Sequence, residues 1–548
     1  NRSFYQGKID KVPSGAGYVI CDGLDADVFI SARNAGQTLG GDTVRIYLTG
    51  HHNGKNPEGV VVSVIERVPK DFVGNLEIDG INCFVTPDNS KVGTDFYIPQ
   101  EKLNGAKNGD KVLVRILDWP KRAKSPFAEV SKIIGRAGEH HAEIHAILAE
   151  YGLPYEFPKS VEAYVASISE EISEKEISKR RDMRKVSTFT IDPHDAKDFD
   201  DALSIEQISE DEWEIGIHIA DVSHYVKEGT VLNDEAYQRA TSVYLVDRVV
   251  PMLPEKLSNK VCSLRPHEEK LCFSAVFIMN RKAEILKEWF GRTVIYSDHR
   301  YTYEDAQDVI EKKRGKFVDE ILLMDQLAKK MRAKRIKEGA ITFDRVEVKF
   351  HLDKSNNPSG VYFKKAKDAN KLIEEFMLLA NRQVASFIGK KMDGTPSKNP
   401  FVYRVHDVPD PDKIGDFSRF VKQFGHQMIM KTTKDIANSM NRVLADVSGK
   451  REENIVELLA IRTMSKAKYT TENIGHYGLG FHYYTHFTSP IRRYADLVVH
   501  RCIKTLVAQN IDSKNSKKTF IKNSSFPYSL NSVSDIAEDI SIKDRNAE

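Results

Sequence analysis

Ser187-Thr-Phe-Thr-Ile-Asp192-Pro-His-Asp-Ala-Lys-Asp-Phe-Asp-Asp201 runs an alternating stretch into five carboxylates within ten residues. Ser187 to Ile191 has period two and predicts a strand ending at Asp192. After a Pro-His-Asp turn, Asp198 and Asp200 stand two apart. An extended chain therefore points both to one face and Phe199 to the other, toward a core. Like charges at this density repel, so in an ordered, partly dry site they need a compensating cation or stay partly protonated. Asp192, Asp198, Asp200 and Asp201 are the candidate set. Two Mg²⁺ ions roughly 3.5–4 Å apart supply such compensation in enzymes that cut phosphodiesters by in-line displacement. The stretch also reads as a solvated acidic loop or a calcium loop. An EF-hand, however, requires Gly at its sixth position and Glu at its twelfth, where Lys197 and Leu203 stand.

The 548 residues leave room for about three or four domains and at least one sizeable core. Lysine plus arginine number 81 against 79 aspartate plus glutamate, a formal charge of +2. Global charge names no partner, and any nucleic-acid surface has to be a local basic patch. No apolar run approaches the ~18 residues of a membrane span and no charged-then-apolar leader is present, so no membrane partner is expected. No nucleotide cofactor is expected either. Cys21, Cys83, Cys262, Cys272 and Cys502 are scattered, form no CxxC, and read as reduced core residues of a cytoplasmic protein. The chain begins at Asn1 rather than Met and stops at Asn546-Ala-Glu548, which reads as a portion of a longer protein.

Upstream of the acids, one small β-module is written twice, 68 positions apart. Asp27-Val-Phe-Ile30 recurs as Asp95-Phe-Tyr-Ile98, Gly41-Asp-Thr-Val44 as Gly109-Asp-Lys-Val112, and Val62-Ser63 with Ile65 as Val130-Ser131 with Ile133. Short strands broken by Gly, Asn and Pro predict two small barrels, over 1–68 and 69–136. Tyr18, with Phe29 two strands later, is a candidate platform for stacking bases; the same rings also suit a barrel core. From 137 to 184 the spacing turns helical, as for a linker. His141-Ala-Glu-Ile-His145 lacks the Glu that directly follows the first His of a zinc protease, because Ala142 stands there.

From 185 to 548 strands and helices alternate through one large α+β domain. Trp213 to Ala220 predicts a strand, with His218 a hydrogen-bonded core residue. Tyr244, in Ser242-Val-Tyr-Leu245, is a candidate stacking residue, and a buried tyrosine reads equally well. In His486-Phe-Thr-Ser-Pro-Ile-Arg-Arg-Tyr494, Ser489 predicts an N-cap and Pro490 a first helical position. Arg492 and Arg493 then fall in the first turn, where a cation opposes the helix dipole unless an anion sits there. Phosphate is the natural anion; two solvated arginines are the plainer reading. His482 and His486 lie in a predicted strand without partners at zinc spacing. The stretch from Asn510 to Asn531, rich in Ser, Asn and Lys, predicts a loop before a last helix.

Several of these segments occur in order in one known family. Thr190-Ile-Asp192, Asp195-Ala-Lys-Asp-Phe-Asp-Asp-Ala202, His218-Ile-Ala-Asp-Val-Ser223, Met252-Leu-Pro254, Leu372-Ile-Glu-Glu-Phe-Met-Leu-Leu-Ala-Asn381 and His486 to Tyr494 resemble the ribonuclease II / ribonuclease R family, nearer its bacterial ribonuclease R branch. The doubled barrel resembles that family's two cold-shock (OB-fold) domains. The resemblance implies two OB-fold barrels, a helical linker and an α+β RNB catalytic domain. It further implies a monomeric, cytoplasmic enzyme that processively degrades single-stranded RNA from its 3′ end to 5′-mononucleotides with Mg²⁺, Mn²⁺ being a substitute. By motif position Asp192, Asp198, Asp200 and Asp201 match the metal and active-site acids. Asp200, Asp201 and Arg492 match catalytic positions, and Tyr244 matches a tyrosine that clamps the terminal nucleotide. Arg493, Tyr18 and Phe29 are further candidate RNA contacts. Family members carry an S1 barrel after a helix resembling Asp535 to Glu548, where this chain stops, and a lysine-rich tail. The alternative is an RNA-binding regulator on the same scaffold with impaired catalysis.

Overall fold

The computed structural model describes residues 3–21, 23–24, 26–52, 56–67, 71–343, 346–353, 358–391, 393–510 and 526–547. They form two compact units, Asn1–Glu156 and Phe157–Glu548.

In the first unit, β1 (Phe4–Lys11), β2 (Gly17–Cys21), β3 (Val28–Ile30), β4 (Thr43–His52) and β5 (Asn56–Glu66) close a barrel in the order β1-β2-β3-β5-β4. β6 (Asp71–Asp79), β7 (Asn82–Pro87), β8 (Phe96–Tyr97), β9 (Asp110–Asp118) and β10 (Phe127–Arg136) close a second with the same topology. In each copy the third strand runs parallel to the fifth while the other pairs are antiparallel. Alternate residues point inward, Val19, Val28, Ile30 and Ile46 in the first barrel, Leu76, Val85, Phe96 and Val114 in the second. Leu39, from the first module, is buried in the second barrel's core. Gln37 Nε2 donates to the carbonyls of Pro120 (2.8 Å) and Ala123 (3.1 Å), so the copies are joined side to side.

The stretch 137–184, expected as one linker, is divided. The helix His140–Glu150 buries Ala142, Ala146 and Leu148 against the second barrel. The helices Lys159–Ala166 and Glu174–Ile177 belong to the second unit. That unit also takes in β11 (Arg181–Asp182), which lies before residue 185 and already pairs with the large sheet.

The sheet adds β12 (Thr188–Asp192), β13 (Asp201–Ser209) and β14 (Glu212–Ala220). After a separate short hairpin of β15 (Val243–Tyr244) and β16 (Val249–Val250) come β17 (Glu269–Asn280), β18 (Ile285–Tyr296) and β19 (His299–Thr302). Its order is β11-β18-β17-β14-β13-β12-β19, antiparallel at the centre and parallel at both edges. All five residues of β12 are buried, so its alternating sequence does not separate a wet face from a dry one. The amphipathic helix Asp368–Gly389 buries Leu372, Phe376 and Leu379 in the core that backs the sheet. Helices Pro411–Lys422, Thr433–Val447 and Glu453–Thr463 bury a smaller core of their own. Helices Tyr494–Asn510 and Leu530–Ala547 follow. The loop expected over 510–531 lies largely outside the described residues, and Leu530 and Asn531 are already helical.

His218 is the hydrogen-bonded core residue expected. Its Nδ1 meets Ser274 Oγ at 2.7 Å and its Nε2 meets Ser204 Oγ at 2.8 Å, and burial holds the imidazole down at about 3, hence neutral. Gly216 leaves room for this trio, since a Cβ there would stand 2.4 Å from Ser204 Oγ and 2.5 Å from His218 Nε2. Gly216→Ala should therefore destabilise the second unit by about 1–3 kcal/mol in urea unfolding; a wild-type midpoint would show that the trio can shift without cost.

Candidate active site

The acids gather where β12 ends and β13 begins, joined by residues 193–200. Phe199 joins the core, 7% exposed; Asp200 is buried as well, against Ile491 and Arg492, and Asp198 is half-buried. Its N–H donates to Ser263 Oγ (3.0 Å), and its carbonyl accepts from Leu264 (2.9 Å). Arg300, on β19 beside β12, donates to the carbonyls of Pro193 (2.7 Å) and His194 (2.9 Å) and lies over the Phe199 ring. These contacts fix an irregular loop that carries its own repelling charges.

Asp192 is 8% exposed and Asp200 is 5% exposed. Burial, with the charges of Asp200 and Asp198 added, pushes Asp192 up to about 7 against the pull of the Thr190 hydroxyl and of Arg300. Burial and the charge of Asp192 push Asp201 up to about 8. Burial also raises Asp198, and it raises Asp200 well above the usual carboxylate range despite Arg492 and an N–H donor. Asp192 Oδ2 is buried without a hydrogen-bond partner among the described residues. Tyr303, at the start of the helix Tyr303–Lys312, senses Asp201 and Asp192, and burial raises its phenol.

The Ser489–Arg493 segment meets the acids from 291 residues away. Ile491 N–H donates to Asp200 Oδ1 at 2.9 Å. Arg492 Nε stands 3.6 Å from Asp200 Oδ2, and its Nη2 donates to Ser489 Oγ at 3.0 Å. The helix does not start at Pro490 as its sequence predicts; it starts at Tyr494. Residues 489–493 form a turn in which the N–H groups of Arg492 (3.3 Å) and Arg493 (3.0 Å) both reach Ser489 O. Asp496 is bonded to both ends of this turn. It is fully buried, accepts Ser489 N–H at 2.7 Å and takes the Arg493 guanidinium on both oxygens at 2.8 Å. The Arg493 side chain is only 17% exposed and its charge is spent on Asp496, which leaves Arg492, 39% exposed, to face outward. Free amides of a helix N-terminus therefore do not form the anion site. His482 and His486 lie in coil rather than a strand, and His486 Nδ1 meets Tyr469 OH at 2.8 Å.

Tyr244 ends β15 and is 54% exposed, so it is not a core tyrosine, although its phenol is buried enough to be raised. The hairpin is docked on the arginine turn, Ser242 N–H donating to Arg492 O at 3.0 Å. In the first unit, Tyr18 and Phe29 are direct cross-strand neighbours on adjacent β2 and β3, not two strands apart, with ring centroids 5.5 Å apart on the barrel's outer side. The second barrel repeats the pair. Phe84 and Tyr97 are cross-strand partners at 5.5 Å, and Phe127 extends the patch at 5.1 Å from Tyr97.

Four carboxylates offer hard oxygen ligands of the type Mg²⁺ takes, and the orphaned oxygen of Asp192 is a donor left over by folding. As arranged, no three His, Cys, Asp or Glu side chains among the described residues converge as on one bound ion. The donor set fits a divalent cation in chemistry and charge.

The chain matches the RNB domain family over residues 180–509, the cold shock domain family over 84–158 and the ribonuclease B OB domain family over 7–64. It is 37% identical to ribonuclease R of Thermotoga maritima, over 92% of this chain and 71% of that protein. Its identity to ribonuclease R of Escherichia coli is 30%, over 97% of this chain and 65% of that one. Among solved structures, Mycoplasma genitalium RNase R in complex with ribose-methylated single-stranded RNA has the same fold. The TM-score is 0.87 at 24% identity, covering 99% of this chain and 84% of that one. Yeast Ssd1, described as a pseudonuclease, shares the fold at TM-score 0.69 and 20% identity, over 99% of this chain and 72% of that one. The fold is thus that of a barrel-bearing RNB protein. The chain belongs to the RNB-domain family of the ribonuclease R proteins.

Raised carboxyl values have a signed consequence. The folded chain binds these protons more tightly than the unfolded chain, so the acids cost least stability below the unfolded value of 3.8. The cost grows as pH rises and is complete above about 7 for Asp192 and about 8 for Asp201. In EDTA, Asp201→Asn should melt above wild type at pH 8, with the gap closing toward pH 4. A gap that does not change with pH would contradict the crowding described.

Proposed function

We propose that this chain is a hydrolytic, processive 3′→5′ exoribonuclease that degrades single-stranded RNA from its 3′ end to 5′-mononucleotides, working as a cytoplasmic monomer. Membership of the RNB-domain family and the ribonuclease R relatives support an exoribonuclease. The observation that carries the reading is the meeting of Ile491 N–H and Arg492 with Asp200 inside a set of under-compensated carboxylates.

Asp192, Asp198, Asp200 and Asp201 would hold Mg²⁺, or Mn²⁺ in its place, and a bound pair supplies an activated water and positive charge for the departing 3′ oxygen. Arg492, paired on one side and exposed on the other, offers its guanidinium to the scissile phosphate as negative charge builds. Ile491 N–H holds the Asp200 carboxylate in one orientation. The exposed Tyr244 ring, on a hairpin docked to the Arg492 backbone, stacks the terminal base. Ring pairs on the two barrels offer sequence-tolerant stacking for bases of single-stranded RNA. A regulator without catalysis would use the same rings, but it would not need acids whose burial goes uncompensated.

A single-stranded RNA labelled at its 5′ end tests direction, metal need and product together. A ladder shortening from the 3′ end with Mg²⁺ and absent in EDTA is expected; unchanged RNA in both would leave only the regulator. Asp200→Asn should keep RNA affinity while hydrolysis is lost; wild-type turnover in that variant would sink the assignment. Tyr97→Ala should weaken RNA binding by about 1–3 kcal/mol without altering the products; unchanged affinity would remove the second barrel's patch from the RNA path.

A further inference from the structure

We propose that Asp496 is a positioning residue for the reaction, setting the Ser489–Arg493 turn so that Ile491 N–H and Arg492 meet Asp200. The inference rests on the exoribonuclease reading for its kinetic arm only.

Asp496 lies in the first turn of the helix Tyr494–Asn510 and has no exposed surface. Oδ1 accepts Ser489 N–H (2.7 Å) and Arg493 Nη2 (2.8 Å), and Oδ2 accepts Arg493 Nε (2.8 Å). A bidentate fork fixes both partners in direction as well as distance, and burial strengthens it. One carboxylate therefore clamps both ends of the five-residue turn, its first amide and its last side chain. Between the clamped ends stand the two groups that reach Asp200, Ile491 N–H at 2.9 Å and Arg492 at 3.6 Å. Arg492 also leans on the clamped end through Ser489 Oγ. Asp496 itself is bonded to none of the four acids. Its action runs through Ile491 N–H and Arg492, and misplacing a reacting group by about 1 Å can cost about 10²-fold in rate.

The test is a double-mutant cycle in Mg²⁺ with single-stranded RNA. Asp496→Asn keeps the size and one acceptor but loses the charge. Arg493→Lys keeps the charge and loses the fork, so it stands in if the first variant does not fold. Each is expected to lower kcat about 10²-fold with KM within about threefold of wild type. In an Arg492→Ala background the same change should cost clearly less than in the wild-type background, because one of the two groups it positions is already gone. An equal loss in both backgrounds, or an unaltered kcat, overturns the proposal. Hydrogen exchange read by mass spectrometry is independent of turnover. Exchange should rise at least about tenfold in peptides covering 489–493 and stay unchanged over β12 to β14. Wild-type exchange at 489–493 in both variants overturns the proposal even if activity falls. Absence of cleavage by the wild-type chain, with exchange raised as described, would sink the exoribonuclease reading and leave the clamp standing.

Discussion

Asp200 is buried against other carboxylates and receives one backbone N–H and one guanidinium in return. A charge taken out of water costs several kcal/mol unless its partners replace the lost solvation. Here replacement is partial, and the carboxyl stays well above its usual range. The partners come from a turn 291 residues away, so the site exists only if the rest of the second unit folds. Sheet pairing sets where β12 stops and β13 starts. Packing of the helix Tyr494–Asn510 in the core sets where the turn arrives. The β15–β16 hairpin then receives the turn's backbone, through Ser242 N–H and a bridge between Thr241 and Arg493.

Asp221 shows what full compensation looks like at the same end of the sheet. It follows β14, whose last residue, Ala220, donates its N–H to Asp200 O at 2.9 Å. Its carboxylate accepts from Arg180 Nη2 (2.7 Å), Arg292 Nε (3.0 Å) and Ser223 Oγ (2.7 Å). Those two guanidinium groups outweigh its burial and hold the acid far below the ordinary carboxylate range. Two buried acids in one neighbourhood thus move in opposite directions. One joins the segment before the sheet to β14 and β18. The other is left with affinity for charge that folding does not use.

Much of this architecture is legible in the amino-acid sequence. The barrels could be read because each copy keeps Asp-x-x-Ile and Gly-Asp-x-Val at a constant offset of 68. The second ring pair could not, because Tyr97 follows Phe29 by 68 but Phe84 follows Tyr18 by 66. A fixed offset lands on Thr86 instead. The acids are visible since five fall within ten residues, and Phe199 among them marks a core contact. The arginine turn was misread because Ser-Pro is a strong local start signal, and local signals lose to a buried carboxylate with three bonds to give. Asp496, three residues beyond Arg493, was the available hint. Arg300 and Tyr303 had none, since they reach the site through the parallel pairing of β19 with β12, a contact with no short-range sequence pattern.

The same fold in a protein described as a pseudonuclease means that the scaffold alone does not carry chemistry. Chemistry lives in the side chains whose placement folding does not explain. Asp221, Asp496 and His218 are each accounted for by bonds that close within the core. Asp192 has an oxygen with no bond, and Asp201 shares its burial with a like charge. Neutral residues at 192 and 201 would fold as well or better at neutral pH. Carboxylates whose burial goes uncompensated, beside an outward-facing guanidinium, are what the packing of the core leaves unexplained.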